Sequence, residues 1–436
     1  MDTAQQAELV RTLEYDDDAA LAQALASLLA ADARHQAATA RQRARVLQGS
    51  LEAIEAPCAE IGDRVGPYVL RDILGRGGMG VVFRAERVDG HVRQEVALKI
   101  VRRPLLDEAG RERFHRERQI VAGFQHPCIA RMLDAGQTKD GSPYLAMELI
   151  RGPTITGYCY ALKLDTRRRI EVFLDVCDAV HHAHTNHVLH RDLKPGNVLI
   201  GQDGLPKLID FGIAKPLATL SGGAQQRTTT DHRFFSPSNV APEQLLGEQV
   251  GVACDVYQLG TLLHELLCGT VVFDAEGLTP GQLEERIVEI APEAPSAHAA
   301  RATTATAHAH GVATPAALAR ALRGELDAIV ALALRKSPQE RYASAEHLAD
   351  DLRRYLDGRP VAAMRGQYWY RMRKFLRRRA LTLGAWTVVI IVVTGLVTAL
   401  WVQAQQIAHA HDPLPATQSQ DAQSPPQPDS RNHRSP

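Results

Sequence analysis

The chain reads as an α+β protein in which a small β-rich part precedes a larger, mainly helical one, followed by one apolar run near the C-terminus. Three observations carry this. Between Tyr68 and Leu149 the apolar residues fall in short Val-, Ile- and Leu-rich runs interrupted by glycines, the texture of strands and tight turns. After Gly152 the apolar spacing becomes helical. Ala380 to Val402 then holds no charged residue over 23 positions, enough helix at ~1.5 Å per residue to span the ~30 Å hydrocarbon layer of a bilayer. Strands first and helices afterwards predict two lobes of different class.

Residues 1–62 are rich in Ala, Gln, Arg and Glu, and Leu21, Leu25, Leu28 and Leu29 share one helical face; a helical extension is expected there. Tyr68–Leu70 and Val81–Phe83, with glycines between, predict a β-hairpin, and Val96–Ile100 the next strand. Residues 106–122 read as a charged helix and Leu145–Leu149 as a further strand. Residues 291–316, rich in Ala, Thr and His with scattered prolines, read as an inserted loop. Helical periodicity returns at Leu326–Leu334 and His347–Tyr355. Domains are expected at 68–356 (small lobe about 68–150, large lobe about 151–356). A basic juxtamembrane segment at 357–379, a transmembrane helix at 380–402 and a disordered tail at 403–436 follow. Arg365, Arg371, Arg373, Lys374 and Arg377–Arg379 precede the apolar run, against only Arg431 and Arg434 after it. That asymmetry places everything N-terminal of the span in the cytoplasm and the tail outside.

Composition narrows the function. Lys+Arg and Asp+Glu are both 50, so the net charge is zero, which excludes a general nucleic-acid binder driven by phosphate neutralisation. Hydrophobic residues at 45% exclude a wholly disordered chain. None of the six cysteines forms a C-x-x-C pair. This argues against a disulfide framework and a zinc site, and for a reducing compartment. The opening Met1-Asp2-Thr3 lacks a basic stretch followed by an apolar run, so no cleaved signal peptide is expected. The histidine clusters His181–His190, His308 with His310, and His409 with His411 are read as compositional rather than metal-binding.

Three motifs carry chemistry. Gly75-Arg76-Gly77-Gly78-Met79-Gly80 leads into a strand, not a helix. This disfavours a dinucleotide-binding turn and favours a hairpin lid whose bare backbone lies close over phosphates. Lys99 ends the apolar strand begun at Val96; its ammonium needs a polar target such as a phosphate, with Glu117 the best steadying carboxylate and Glu112 the competitor. His190-Arg191-Asp192-Leu193-Lys194-Pro195-Gly196-Asn197 offers a carboxylate to accept a hydroxyl proton, a lysine to neutralise charge and an amide oxygen for a hard cation. Asp210-Phe211-Gly212 supplies a second oxygen ligand, and a hairpin between the two motifs brings Asn197 and Asp210 together.

With Ala241-Pro242-Glu243 added, this ordered set resembles the eukaryotic-like bacterial serine/threonine protein kinases of the membrane-anchored kind. The resemblance implies the two-lobe kinase fold, with one helix in the small lobe, and transfer of the ATP γ-phosphoryl group to Ser/Thr hydroxyls of proteins. It implies Asp192 as catalytic base, with Lys194 and Asn197 beside it. Asn197 and Asp210 would be ligands for Mg2+, with Mn2+ the alternative ion. Gly75–Gly80 and Lys99 would lie on the phosphates, Lys99 paired with Glu117. Leu74, Val82, Ala97 and Leu199 would flank the adenine, with Met147 as gatekeeper and Glu148 to Ile150 as hinge. Asp255 would brace the catalytic loop, and Glu243 would pair with Arg341. Autophosphorylation is expected in Thr228, Thr229 and Thr230. The partners implied are ATP, protein substrates and a bacterial inner membrane, with no nucleic acid; a homodimer stays open. The rivals are a nucleotide-binding scaffold without turnover and a receptor for an external ligand. Asn239 departs from the family pattern by standing where relatives carry an aromatic, and the 291–316 stretch has no counterpart.

Overall fold

The computed structural model describes residues 59–77, 80–90, 93–101, 121–211, 239–364 and 380–410. Six strands form one sheet: β1 (Arg64–Val65), β2 (Tyr68–Gly77), β3 (Gly80–Arg87), β4 (Gln94–Val101), β5 (Met132–Gln137) and β6 (Pro143–Glu148), in the order β1-β2-β3-β4-β6-β5. All described neighbours pair antiparallel. Alternation along the strands sets the two faces. Tyr68, Leu70, Val81, Phe83, Val96, Leu98 and Ile100 enter a shared apolar core with Tyr144 and Ala146. Ala97 and Lys99 point the other way, and Lys99 stands opposite Val82 on β3 and Leu145 on β6. The expected hairpin and two further strands are present, and β2 runs on through Gly75 and Gly77. The register slips between Leu70 and Asp72 and between Ile73 and Gly75, bends that curl the ribbon. Strands β1 and β5 were not foreseen. The charged helix expected at 106–122 lies almost wholly outside the described residues, as do nearly all of the 1–62 extension and the 403–436 tail's end.

The larger part is helical. Helices α1 (Ile155–Ala161) and α2 (Thr166–Thr185) open it, each with an N-cap side chain, Thr154 or Asp165, accepting from a backbone amide three residues on. A two-stranded ribbon follows, β7 (Val198–Ile200) with β8 (Pro206–Leu208). Then come α3 (Pro242–Leu246), α4 (Val252–Cys268) and α5 (Pro280–Glu289). The sequence of α4 is apolar nearly all round, and the helix is buried from Cys254 through Leu263 without a break, as such a helix must be.

The stretch expected to be an inserted loop is instead helical. It contains α6 (Pro295–Arg301) and α7 (Thr304–Ala309) and reaches the start of α8 (Pro315–Leu322). Two of its three prolines begin helices. Pro295 and Pro315 stand at helix starts, and Thr303 and Thr314 cap the helices that follow them; proline is tolerated in the first turn because its missing N–H has no intrahelical partner there. Helices α9 (Glu325–Ala333) and α10 (Ala345–Leu356) match the expected periodic segments. Within α10 the buried carboxylate of Asp351 accepts from the amides of Ala362 and Ala363, beyond the helix end, and from the Tyr342 hydroxyl.

The last helix, α11 (Ala380–Ala410), forms a separate unit with the residues around it. It extends past the expected end at Val402. Its segment Val389–Gln406 has a mean hydropathy of 1.6 and none of it is buried by protein. Among the described residues one helix is therefore long and apolar enough to cross a membrane. The hydroxyls of Thr394 and Thr398 donate to the carbonyls of Ile390 and Thr394, so they need no water.

Candidate active site

The loop from His190 to Asn197 is built around a backbone conformation that side chains resist. Arg191 has φ +63° and Asp210 has φ +61°, the left-handed region, which costs a non-glycine residue roughly 1–2 kcal/mol. At Arg191 the cost is offset by directional bonds from both sides. Its amide donates to Asp255 Oδ1 at 2.8 Å, and its carbonyl accepts from Gln258 Nε2 at 3.1 Å and Gln244 Nε2 at 3.2 Å. Asp255 Oδ2 accepts from the His190 amide at 2.8 Å and meets His184 Nε2 at 2.8 Å. The next turn of α4 adds Gln258 Oε1, which accepts from the Leu193 amide at 2.9 Å. Asp255 is completely buried. Burial pushes its carboxyl up, but the His184 bond and charge, with His190, outweigh this and hold it below the usual carboxylate range. Asp255 was expected as a brace; Gln258, Gln244 and His184 were not. The spacing Asp255 to Gln258, one turn on the same helix face, is the signal that could have found the second.

His190 is neutral and its tautomer is fixed by its two neighbours. Burial lowers its proton affinity. Nε2–H faces the Ile209 carbonyl at 3.1 Å, while Nδ1 accepts from the Asp192 amide at 3.3 Å. Phe211 is buried against the His190 ring at 4.8 Å and Phe124 at 5.6 Å. This packing holds Phe211 back from the cleft, where its neighbour Asp210 lies.

The polar groups converge. Asp192 Oδ2 lies 3.0 Å from Lys194 Nζ and accepts from Asn197 Nδ2 at 3.1 Å; that same amide also donates to the Asp192 carbonyl at 2.7 Å. The β7–β8 ribbon joins Asn197 to Asp210, and the Ile209 amide donates to the Asn197 carbonyl at 2.9 Å. Across the cleft Lys99, with its side chain 7% exposed, forms an ion pair with Asp210. Lys99 was expected to meet Glu117 and phosphates; Glu117 lies outside the described residues, and the partner seen is Asp210.

These groups line one cleft of about 470 Å³. Of the expected residues, Leu74, Gly75, Arg76, Gly77, Gly80, Val82, Ala97, Lys99, Met147, Glu148, Ile150, Asp192, Lys194, Asn197, Leu199 and Asp210 all border it. Gly196 and Ile209 border it too, flanking motif residues that sequence reasoning passed over. Gly78, Met79 and Thr228–Thr230 lie outside the described residues. The glycines divide by role. A Cβ on Gly80 would stand 2.0 Å from the Ile100 carbonyl oxygen, so the fold itself requires glycine there. Among the described residues, chain neighbours aside, no atom lies within 4 Å of where a Cβ would stand on Gly75 or Gly77, so these two leave open the space over the cleft. An apolar slot between Val82, Ala97 and Leu199, a bare backbone flap, the cations Lys99 and Lys194, and the oxygen-bearing side chains of Asp192, Asn197 and Asp210 suit a nucleotide with a divalent ion.

Outside the cleft Arg341 holds Glu243 through two bonds of 2.7 and 2.8 Å, both side chains fully enclosed. Arg341 also donates to the carbonyls of Arg335, Lys336 and Ala253. The departure at Asn239 is absorbed by packing: it is buried, and Nδ2 donates to Thr261 Oγ1 at 3.0 Å.

The chain matches the family model described as the protein kinase domain over residues 68–352. It is 34% identical over 303 residues to a probable serine/threonine-protein kinase of Streptomyces coelicolor, covering 68% of this chain and 41% of that one. It is 33% identical over 301 residues to serine/threonine-protein kinase PknB of Mycobacterium tuberculosis, covering 68% and 44%. With PknB of Mycolicibacterium smegmatis it shares 34% identity over 296 residues, covering 67% and 43%. The match thus takes in less than half the length of these relatives.

Proposed function

Because the chain belongs to the protein kinase family, we propose that it transfers the γ-phosphoryl group of ATP to serine or threonine hydroxyls of proteins. The observation that carries this is the convergence of Lys99, Asp192, Lys194, Asn197 and Asp210 on one cleft. The family uses ATP and a divalent metal in general. In this chain the Asn197 side-chain carbonyl and the Asp210 carboxylate would hold Mg2+, which when bound neutralises charge on the phosphates.

The chain's own groups do the rest. Lys99 and Asp210 now neutralise each other; phosphates would take the ammonium, freeing the carboxylate for the cation. Gly75 and Gly77 let the backbone close over the phosphates. Asp192 orients the attacking hydroxyl and accepts its proton, while Lys194, 3.0 Å away, offsets charge on the transferred group. Asn197 Nδ2, bonded to Oδ2 of Asp192, fixes the carboxylate's rotation. Catalysis on this reading is positioning plus charge stabilisation.

The test is Asp192→Ala in the full chain. Phosphotransfer should fall by about 10²–10⁴-fold, while fluorescent-nucleotide binding persists. Equal turnover in both proteins would sink the assignment of the base. Nucleotide binding with no turnover in the unmodified chain would instead favour the scaffold.

The same reading places the catalytic part in the cytoplasm, anchored to a bacterial inner membrane by α11 with the tail in the periplasm. Its support is the basic run before the helix and the scarcity of bases after it. Protease added to intact spheroplasts should trim only the tail. Autophosphorylation at Thr228–Thr230 belongs to this proposal, and mass spectrometry of the purified chain checks it.

A further inference from the structure

Among the described residues, one group of metal-type ligands stands away from the cleft. His264 and Cys268 lie four apart on α4, hence on one face. His298 comes from α6. One ligand atom from each can be chosen so that all lie within 4.8 Å of one another. Cys268 Sγ is 3.4 Å from His264 Nδ1. The His298 ring meets the His264 ring edge-on at 4.8 Å between centroids. A single hydroxyl, Thr270 Oγ1, sits 3.3 Å from the sulfur and 3.0 Å from His298 Nδ1. On its other side His298 Nε2 lies 3.3 Å from a Glu293 carboxylate oxygen.

We propose that His264, Cys268 and His298 bind one zinc-class divalent cation, with Glu293 as the outer carboxylate that orients His298. The fit is metric. Bonds of about 2.3 Å to sulfur and 2.1 Å to nitrogen in a tetrahedral site separate those two atoms by about 3.6 Å. The observed sulfur–nitrogen distance is already 3.4 Å; the third ligand must draw inward by roughly 1 Å, and the Thr270 carbonyl, 3.1 Å from His264 Nδ1, must yield that nitrogen to the cation. The Glu293–His298 contact is the carboxylate–histidine pairing that fixes a metal-bound imidazole.

The ligand chemistry agrees. Binding converts the Cys268 thiol to a thiolate, and its proton leaves to solvent. One thiolate and two imidazoles select zinc over magnesium or calcium, which prefer oxygen. His298 and Glu293, with side chains 18% and 53% exposed, give the ion a way in. Cysteine spacing alone missed the site because it holds one cysteine, and its third ligand comes thirty residues later. Such an ion would fasten α6 to the last turn of α4. That end of α4 lies about 20 Å, at 1.5 Å per residue, from Asp255, so the site is independent of the phosphotransfer reading.

The experiment uses the full chain in detergent, stripped with chelator, then titrated with Zn2+ against a chromophoric chelator and separately with Co2+. One equivalent should bind, with a thiolate-to-cobalt charge-transfer band in the near ultraviolet. His298→Gln, at a partly exposed ring, should weaken binding by at least about 100-fold, and Glu293→Gln by about 10-fold. Cys268→Ser should abolish the band, whereas Asp210→Asn should leave it. Far-UV circular dichroism checks folding; if Cys268→Ser does not fold, His298→Gln decides alone. Absence of stoichiometric binding, or undiminished affinity in His298→Gln, overturns the proposal.

Discussion

In the β-rich lobe the charged side chains described, apart from Lys99 in the cleft, stand outside. Arg84 bridges Asp72 and Glu95 on the sheet surface, Arg71 reaches Glu86 and Arg87 reaches Asp89, all partly or largely in solvent. Its interior is apolar, closed by Tyr68, Phe83, Leu98 and Ile100. In the helical lobe charge is inside. Glu243 and Arg341 are enclosed, Asp255 is buried under the catalytic loop, and Arg169 spreads its guanidinium over the carbonyls of Leu164, Leu266, Cys159 and Ala309. Non-directional packing holds a sheet together while letting a flap shift. Directional bonds to buried charge fix a backbone at one conformation, which is what Asp192 and Asn197 require.

The contrast can be broken or sharpened by experiment. The largest effect is expected at the enclosed pair. Glu243→Ala strands the Arg341 charge and should cost about 3–5 kcal/mol, read as a large drop in the urea midpoint. A small drop would mean that water reaches Arg341. Asp255→Asn keeps the shape but turns an amide N–H₂ toward a backbone N–H. Misplacement of the loop should lower kcat by about 10²-fold and leave KM for ATP nearly unchanged. A matching rise in KM would show that the brace serves the nucleotide instead.

Acid should act on the helical lobe first. Burial lowers the proton affinity of His190 and His310, so their folded values lie below the unfolded value of about 6.5. A depressed histidine contributes stability that is present above about pH 6.5 and is lost as pH falls through the folded value. Among described residues the β-rich lobe buries no histidine. Hydrogen exchange at pH 7.5 and 5.5 should therefore show protection falling around His190 and His310, with the β2–β4 core nearly unchanged. The smallest effect is expected at Arg84→Ala, where the urea midpoint should stay within error, since exposed ion pairs contribute little.

Much of the site was legible because its residues are contiguous and chemically distinctive. Asp192, Lys194 and Asn197 lie within six positions, and Lys99 stands out as a lysine in an apolar strand. Elsewhere the pattern misled. Strand β5, Met-Leu-Asp-Ala-Gly-Gln, carries too few apolar residues to announce itself and is defined by pairing with β6. The 291–316 segment lacks an apolar stripe, and its prolines were taken as loop marks although Pro295 and Pro315 begin helices. Ala299 and Ala307 are nonetheless fully buried, because small side chains can bury a helix face without standing out in a hydropathy pattern.

By itself the sequence determined which chemical groups are present, the alternation that turns Lys99 away from the sheet core, and the uncharged run that makes α11. The tertiary structure decided where those groups meet. Arg191 and Asp210 adopt left-handed backbone that no local preference favours. At Arg191 the acceptor and donors that hold it lie 53 to 67 residues away, on α3 and α4. Such a bond depends on chain closure and burial rather than on neighbouring residues, so it exists only once the helical lobe has closed around it.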